Sequence, residues 1–80
     1  MYHVYIIRLK NGDYYTGSTP SIIGRMKKHQ DGKVESTKNY RPVKLLWYCT
    51  FPNRLEARRF EKYQKTGSGQ AFRNKRLVKK

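Results

Sequence analysis

The chain has 80 residues, 36% of them hydrophobic, which allows one modest core and predicts a single domain over residues 1–80 with a basic tail at about 75–80. Nineteen Lys and Arg residues against five Asp and Glu give a formal charge of +14, which predicts a polyanionic partner. A lone Cys49 excludes an internal disulfide and a cysteine zinc site, and no apolar run reaches the roughly 20 residues of a membrane span, so we expect a cytoplasmic protein.

The first predicted elements are the two strands of a β-hairpin. Tyr2 to Leu9 is rich in β-branched and aromatic residues, as strands are. The segment Lys10 to Asp13 contains the turn signal Asn-Gly, and Tyr14 to Ser18 resumes the strand pattern. The sequence therefore predicts two antiparallel strands joined by a short loop.

The length of that loop decides where two tyrosines point. A two-residue Asn11-Gly12 turn, which this dipeptide favours, places Tyr5 and Tyr15 on opposite faces of the sheet. A three-residue loop with Gly12 in the left-handed conformation places both tyrosines on one face. The sequence alone does not choose between the two loops.

A first helix is predicted after the hairpin. Thr19-Pro20 fits an N-cap followed by proline at the first helical position, and an apolar stripe of Ile22, Ile23 and Met26 extends the helix to about Gln30. Asp31-Gly32 is a typical helix end.

The second half of the chain predicts one more strand and two more helices. Lys33 to Arg41 is a polar basic loop, and Val43 to Phe51 is an apolar strand bracketed by prolines. Asn53 then caps a helix to about Lys65, and a last helix runs from about Gln70 to Val78. The order ββαβαα predicts an α+β fold with a three-stranded antiparallel sheet flanked by helices.

Carboxylates that could hold a metal ion are scarce. Five acidic residues are too few for the acid cluster of a two-metal nuclease, so one ion is the better hypothesis. The helical residues Glu56 and Glu61 are the candidates for Mg²⁺, and five residues of separation place them about 140° apart on the helix. We therefore expect one of the two to be a ligand and the other to be structural.

Arg25 and His29 are four residues apart on the first predicted helix, so their side chains project together. An arginine offers a fixed charge and several donors to a phosphate, and a histidine moves a proton near neutral pH. The pair can therefore serve one phosphate together. Since Lys27 and Lys28 lie between them, the same spacing also fits a helix that is merely basic.

These motifs together resemble the GIY-YIG nuclease superfamily, in particular its small single-domain members. Val4-Tyr5-Ile6 resembles the first motif, Tyr15-Thr16-Gly17-Ser18-Thr19 the second, and Arg25-Met26-Lys27-Lys28-His29 the first-helix motif. The segment Leu55 to Lys62, followed by Lys65 to Gly69, resembles the second helix of these members. The resemblance extends from Tyr2 to about Arg73.

The resemblance implies a function and a set of residues. It implies that Glu61 is the single ligand of one Mg²⁺ or Mn²⁺ ion, that Tyr5, Tyr15, Arg25 and His29 line the site, and that water hydrolyses a phosphodiester bond. Either Tyr5 or His29 is implied as the group that takes the proton of the water. Asn74 lies near an Asn that many members have after the second helix and is an accessory candidate.

The function expected from these features is a metal-dependent DNA endonuclease with little sequence specificity, active as a monomer or homodimer. The alternatives are a catalytically inactive nucleic-acid-binding module on the same fold and a basic protein held on RNA. The expected contacts to the nucleic-acid backbone are Lys38, Arg41, Arg58, Lys62, Lys65 and Arg73.

Overall fold

The computed structural model describes residues 1–67 and residue 69, and it has the predicted α+β fold in that part of the chain. Its elements are β1 (Tyr2–Arg8), β2 (Tyr14–Thr19), α1 (Ile22–Gln30), a short 3₁₀ helix (Lys38–Tyr40), β3 (Lys44–Phe51) and α2 (Arg54–Gln64). The strands form one antiparallel sheet in the order β2-β1-β3. The predicted last helix, Arg73 and Asn74 lie outside the described residues.

The hairpin has the three-residue loop. Leu9 and Asp13 are joined by a backbone hydrogen bond of 2.8 Å, and Gly12 between them has a φ of +90°. This loop pairs Tyr5 with Gly17 and Ile7 with Tyr15. Paired residues share a face of the sheet, so Tyr5 and Tyr15 point to the same side.

That side of the sheet forms the core under α1. Tyr5, Ile7, Leu9 and Val43 are buried there, and Ile22, Met26, Tyr15 and Leu45 pack against them. Burying one large apolar side chain stabilises a fold by about 1.5–3 kcal/mol, so this small cluster fixes α1 on the sheet. The predicted stripe is wrong at Ile23, which is 86% exposed because it points away from the sheet.

The opposite side of the sheet packs on α2. Ala57 and Val4 are fully buried there, and the ring of Phe60 lies 5.9 Å from that of Trp47 and 5.4 Å from that of Phe51. Asn53 caps α2 as predicted, since its side chain accepts a hydrogen bond from the Glu56 amide. The sheet is thus covered by one helix on each face.

The start of α1 corrects the sequence prediction. The N-cap is Ser21, not Thr19, because the Ser21 hydroxyl accepts a hydrogen bond from the Gly24 amide. Thr19 is the last residue of β2, and its hydroxyl donates to the Ser21 carbonyl and accepts from the Ser21 amide. Pro20 therefore lies before the helix, in the short link from the sheet.

No helix within residues 1–67 and 69 has the length and apolar character needed to cross a bilayer.

Candidate active site

The side chains of Arg25 and His29 meet at the hydroxyl group of Tyr5. Because the two residues are four apart on α1, they leave the helix on one side, above β1. The Tyr5 oxygen accepts a hydrogen bond from Arg25 Nε at 3.2 Å and lies 2.9 Å from His29 Nε2. The phenol, the guanidinium and the imidazole predicted from separate motifs therefore meet at one oxygen atom.

Thr37 holds His29 from its other side. His29 Nδ1 lies 2.7 Å from the Thr37 hydroxyl, and Tyr5, His29 and Thr37 are all fully buried. Both ring nitrogens of His29 thus have a hydroxyl partner, which removes the cost of burying an unpaired polar group. The segment Glu35-Ser36-Thr37-Lys38 resembles the loop of the small family members, but the sequence predicts no role for Thr37, because nothing in a polar loop distinguishes a hydroxyl that turns inward.

Tyr15 completes the cluster from the neighbouring strand. Its ring centroid lies 6.3 Å from that of Tyr5 and 5.4 Å from that of His29, with the His29 contact edge-on. Unlike Tyr5, Tyr15 is partly exposed. Four of the five predicted catalytic side chains therefore form one connected group, as the three-residue hairpin loop requires.

The group has two layers. Arg25 and Tyr15 are partly exposed and face the solvent, whereas Tyr5 and His29 have no exposed surface. A phosphate that approaches from the solvent meets the outer layer first. The Tyr5 hydroxyl is hydrogen-bonded to the Arg25 guanidinium of this outer layer.

Burial keeps the inner layer uncharged at neutral pH. Burial, together with the nearby charge of Arg25, lowers the pKa of His29 from 6.5 to about 4. Burial also raises the pKa of Tyr5, and the hydrogen bond and charge of Arg25 offset only part of this rise. The hydrogen bond to Tyr5 raises the pKa of Arg25. A neutral phenol and a neutral imidazole therefore lie under a permanent cation.

Glu61 reaches the site from α2. Its Oε1 atom accepts a hydrogen bond of 2.7 Å from the Ser18 hydroxyl, and its Oε2 atom lies 3.0 Å from Lys65 Nζ. Ser18 follows Gly17 in β2 and pairs with Val4, so it faces α2, and Glu61 lies on the other side of the sheet from Tyr5, with no direct bond to the cluster. The negative charge of Glu61 also raises the pKa of Tyr5, so the two residues interact electrostatically.

The state of the Glu61 carboxyl suits a divalent cation. Burial alone raises its pKa, but the hydrogen bonds from Ser18 and Lys65 and the charges of Lys65 and Arg58 outweigh burial, so the pKa of Glu61 is lowered. The Glu61 carboxyl is therefore ionised at neutral pH. One of its oxygens already binds a cation, the Lys65 ammonium. Residues 1–67 and 69 hold no group of three or more His, Cys, Asp or Glu side chains that could bind a metal. One carboxylate, completed by water and phosphate oxygens, is nevertheless a usual set of ligands for Mg²⁺.

The predicted backbone contacts differ in their surroundings. Arg58 and Lys62 are exposed on α2, and Lys65 is paired with Glu61. Lys38 lies 3.2 Å from the Glu35 carboxylate.

Arg41 has a structural role as well. Its Nε donates to the Lys38 carbonyl at 2.9 Å, and one terminal nitrogen donates to the Gln30 carbonyl at the end of α1 at 3.1 Å. These bonds join the basic loop to the first helix.

Comparisons with known proteins identify the family and the relatives that this chain resembles. A family model described as the GIY-YIG catalytic domain matches residues 1–76. The chain is similar to the UPF0213 protein BH0048 of Halalkalibacterium halodurans, with 39% identity over 75% of the chain and 65% of that protein, so it spans slightly less than two thirds of this relative. It is also similar to the UPF0213 protein SH2523 of Staphylococcus haemolyticus, with 39% identity over 86% of the chain and 85% of that protein.

A solved structure shows the same fold. The solution NMR structure of the UPF0213 protein BH0048 from Bacillus halodurans is similar to this structure with a TM-score of 0.51 and 39% sequence identity. The likeness covers 81% of this chain and 71% of that one. The fold thus recurs in a relative solved by experiment.

Proposed function

The chain belongs to the GIY-YIG nuclease family, and on that basis we propose that it is a DNA endonuclease that hydrolyses phosphodiester bonds with one divalent ion. The observation that most directly supports this proposal is the meeting of Arg25 and His29 at the Tyr5 hydroxyl. A fold that only bound nucleic acid would need cations at the surface, whereas a buried phenol and imidazole in hydrogen-bond contact are typical of groups that transfer a proton.

Arg25 is the proposed contact to the scissile phosphate. Its Nε is bonded to Tyr5 and the guanidinium also interacts with Tyr15, and since a guanidinium has five donors in total, donors remain for phosphate oxygens. A charge fixed close to the phosphorus stabilises the additional negative charge of the transition state. Tyr15 lies beside Arg25 in the outer layer and orients the Arg25 guanidinium.

Tyr5 and His29 form the proposed proton path. When a phosphate draws the Arg25 guanidinium outward, the Tyr5 oxygen is uncovered and can accept a proton from the attacking water. The phenolic proton then passes to His29 Nε2, which is unprotonated at neutral pH because the pKa of His29 is about 4. The negative phosphate raises that pKa in the complex, which makes His29 a better acceptor when substrate is bound.

Glu61 is the proposed holder of Mg²⁺ or Mn²⁺. When bound, such an ion neutralises charge on the leaving oxygen. Ser18 keeps one carboxylate oxygen in place, and displacement of the Lys65 ammonium would open the other. The expected role of this chain's own residues is therefore to present one ionised carboxylate, held by Ser18, at the β2 edge of the sheet.

Little sequence specificity is proposed. Each helix packs one face on the sheet, and exposed cations of α1 and α2, such as Lys28, Arg58 and Lys62, are suited to phosphates. Phosphate contacts position a nucleic acid but do not identify its bases.

The test is cleavage of single-stranded, duplex and branched DNA and of RNA with Mg²⁺ or Mn²⁺. We expect the wild type to cut and Glu61→Ala to bind without cutting, since the change removes a negative charge near a polyanion. Tyr5→Phe keeps the ring and removes the shared oxygen, so it should also stop cleavage. Glu56→Ala, an exposed acid on the same helix, is the matched control and should cut normally. If Glu61→Ala cuts as well as the wild type, the metal assignment is wrong.

A catalytically inactive binding module is the second candidate. Two observations favour it: the Tyr5 hydroxyl is covered by Arg25, and both Glu61 oxygens are occupied by Ser18 and Lys65. The same experiment separates the candidates. A wild type that binds DNA or RNA with salt-dependent affinity and cuts neither with either ion would establish the binding module.

A further inference from the structure

A cleft of about 300 Å³ lies beside the candidate active site, between α1 and the end of β2. Its lining includes Tyr2, Ser18, Ser21, Gly24, Arg25 and Lys28. It shares Arg25 with the Tyr5 cluster and Ser18 with Glu61. A molecule in this cleft would therefore be in contact with both halves of the site.

The geometry of α1 explains how the cleft and the cluster are connected. At about 100° per residue, Lys28 lies about 60° to one side of Arg25 and His29 about 40° to the other. His29 turns inward and is fully buried, while Lys28 is exposed and lines the cleft. Arg25 is thus the middle of three consecutive positions across the helix surface, from the buried site to the open cleft.

The chemistry of the cleft suits an anion. Arg25 and Lys28 provide two positive charges, and none of the described residues that line it is acidic. The Ser21 oxygen accepts from the Gly24 amide, so its own hydroxyl hydrogen remains available as a donor. Ser18 donates its hydrogen to Glu61, which leaves its oxygen able to accept from a water molecule.

We infer that this cleft binds the phosphodiester group next to the scissile one, with Lys28 as its principal cation. The inference rests on the proposed function, and it adds a second phosphate subsite to it. The volume is at the low end of the ~300–1,000 Å³ of ligand pockets, which suits one phosphate with its sugar. Arg25 and Lys28 are neighbouring cations on α1, so they can bind two consecutive phosphates of one strand.

A larger depression elsewhere on the chain suits this role less well. It has a volume of about 540 Å³ and is lined by Gln30, Lys38, Asn39, Arg41 and Pro42. The Arg41 guanidinium there is bonded to two carbonyl oxygens, and Lys38 is paired with Glu35. None of its lining residues belongs to the cluster around Tyr5.

The first experiment measures DNA binding in a chelator, so that cleavage does not enter. Lys28→Gln should weaken binding about five- to tenfold, the effect of losing one charge-assisted contact. It should also reduce the slope of log K against log salt by about 0.7–0.9, the value for one phosphate. Lys27→Gln is the matched control, because Lys27 is the preceding exposed lysine and does not line the cleft. Equal effects of the two changes would overturn the inference.

The second experiment neutralises single phosphates of the substrate. An oligonucleotide that is cut at one position receives an uncharged methylphosphonate linkage one step to either side of that position. One of these two substitutions should lower the kcat/KM of the wild type about fivefold and leave that of Lys28→Gln unchanged. If each substitution has the same effect on both proteins, Lys28 does not contact a flanking phosphate.

These two experiments separate the subsite from the nuclease proposal. If the protein cuts nothing, the endonuclease proposal fails, and the binding measurements in chelator still decide whether Lys28 holds a phosphate. If the protein cuts and Lys28→Gln behaves like Lys27→Gln, the nuclease proposal stands and the subsite is disproved.

Discussion

The hydroxyl group of Tyr5 rests against the backbone of Gly17, in the space that any other side chain at position 17 would fill. A Cβ atom there would lie 2.6 Å from Tyr5 Cζ and closer still to the hydroxyl. The two residues are direct partners across β1 and β2. Gly17 is therefore needed for the position of Tyr5 rather than for backbone flexibility.

Gly17→Ala should displace the Tyr5 ring from Arg25 and His29. Overpacking a buried position costs about 1–3 kcal/mol, so we expect a loss of that size in the free energy of unfolding and a severe loss of cleavage. Denaturant unfolding and an activity assay measure the two effects. Gly67→Ala is the control, because a Cβ at Gly67 would have no neighbour within 4 Å among residues 1–67 and 69, and its stability and activity should match the wild type. An active, fully stable Gly17→Ala protein would contradict the close contact.

Thr37→Val tests whether Thr37 acts through its hydroxyl group or only through the space that its side chain fills. Valine has nearly the same shape but leaves His29 Nδ1 buried without a partner, which costs about 1–3 kcal/mol. Thr37→Ser retains the hydroxyl group and should recover most of the activity. We expect the pH profile of cleavage to move in Thr37→Val and not in Thr37→Ser. Identical profiles for all three proteins would mean that Thr37 only fills space.

The pKa of His29 predicts how stability depends on pH. The unfolded chain takes up a proton on His29 near pH 6.5, whereas the folded chain resists it down to about pH 4. Stability is therefore complete at pH 7 and falls by up to about 3 kcal/mol as the pH drops from 6.5 to 4. Urea unfolding at pH 7.0, 6.0 and 5.0 measures this decrease.

The lowered pKa of Glu61 makes acid destabilising as well, but only below the ordinary carboxyl value of 4.5, so the range above pH 5 reports His29. A His29→Gln variant should lose most of the slope in that range. If its slope equals that of the wild type, another group is responsible.

Arg41→Gln should affect folding more than binding. The change removes the guanidinium that bonds the carbonyls of Gln30 and Lys38, and we expect a loss of about 1–2 kcal/mol in the free energy of unfolding. The affinity for DNA should fall less than in Lys28→Gln. Lys33→Gln, an exposed cation in the same loop, is the control and should change stability by less than about 0.5 kcal/mol. A stable Arg41→Gln protein with weak binding would make Arg41 a phosphate contact instead.

The strands and the helices described here could be predicted from the sequence because their patterns are local. The hairpin register could not, because Asn11-Gly12 suits a two-residue turn and Gly12 equally suits the end of a three-residue loop. The cap of α1 was placed at Thr19 for a similar reason. Thr19 and Ser21 both have a hydroxyl group, and only the bend at Pro20 decides which one reaches the helix amides.

The candidate site was partly predictable for a different reason. The spacing of Arg25 and His29 follows from helix geometry, but the choice of Glu61 over Glu56 came from the resemblance to a family. The structure supplies a physical difference between them, since Glu61 meets Ser18 and Glu56 lies exposed in the first turn of α2. Contacts between residues distant in sequence, such as Ser18 with Glu61, have no local signal.

The proposed chemistry depends on the number of residues in the hairpin loop around Gly12, although this loop lies away from the reacting groups. Deleting one loop residue would turn every side chain of β2 to the other side of the sheet, so the phenol of Tyr15 would meet α2 and the Ser18 hydroxyl would leave Glu61. The strands could still pair, and the outline of the domain would persist. Counting the residues in this one turn is thus a simple way to sort related domains into those that can assemble the cluster and those that cannot.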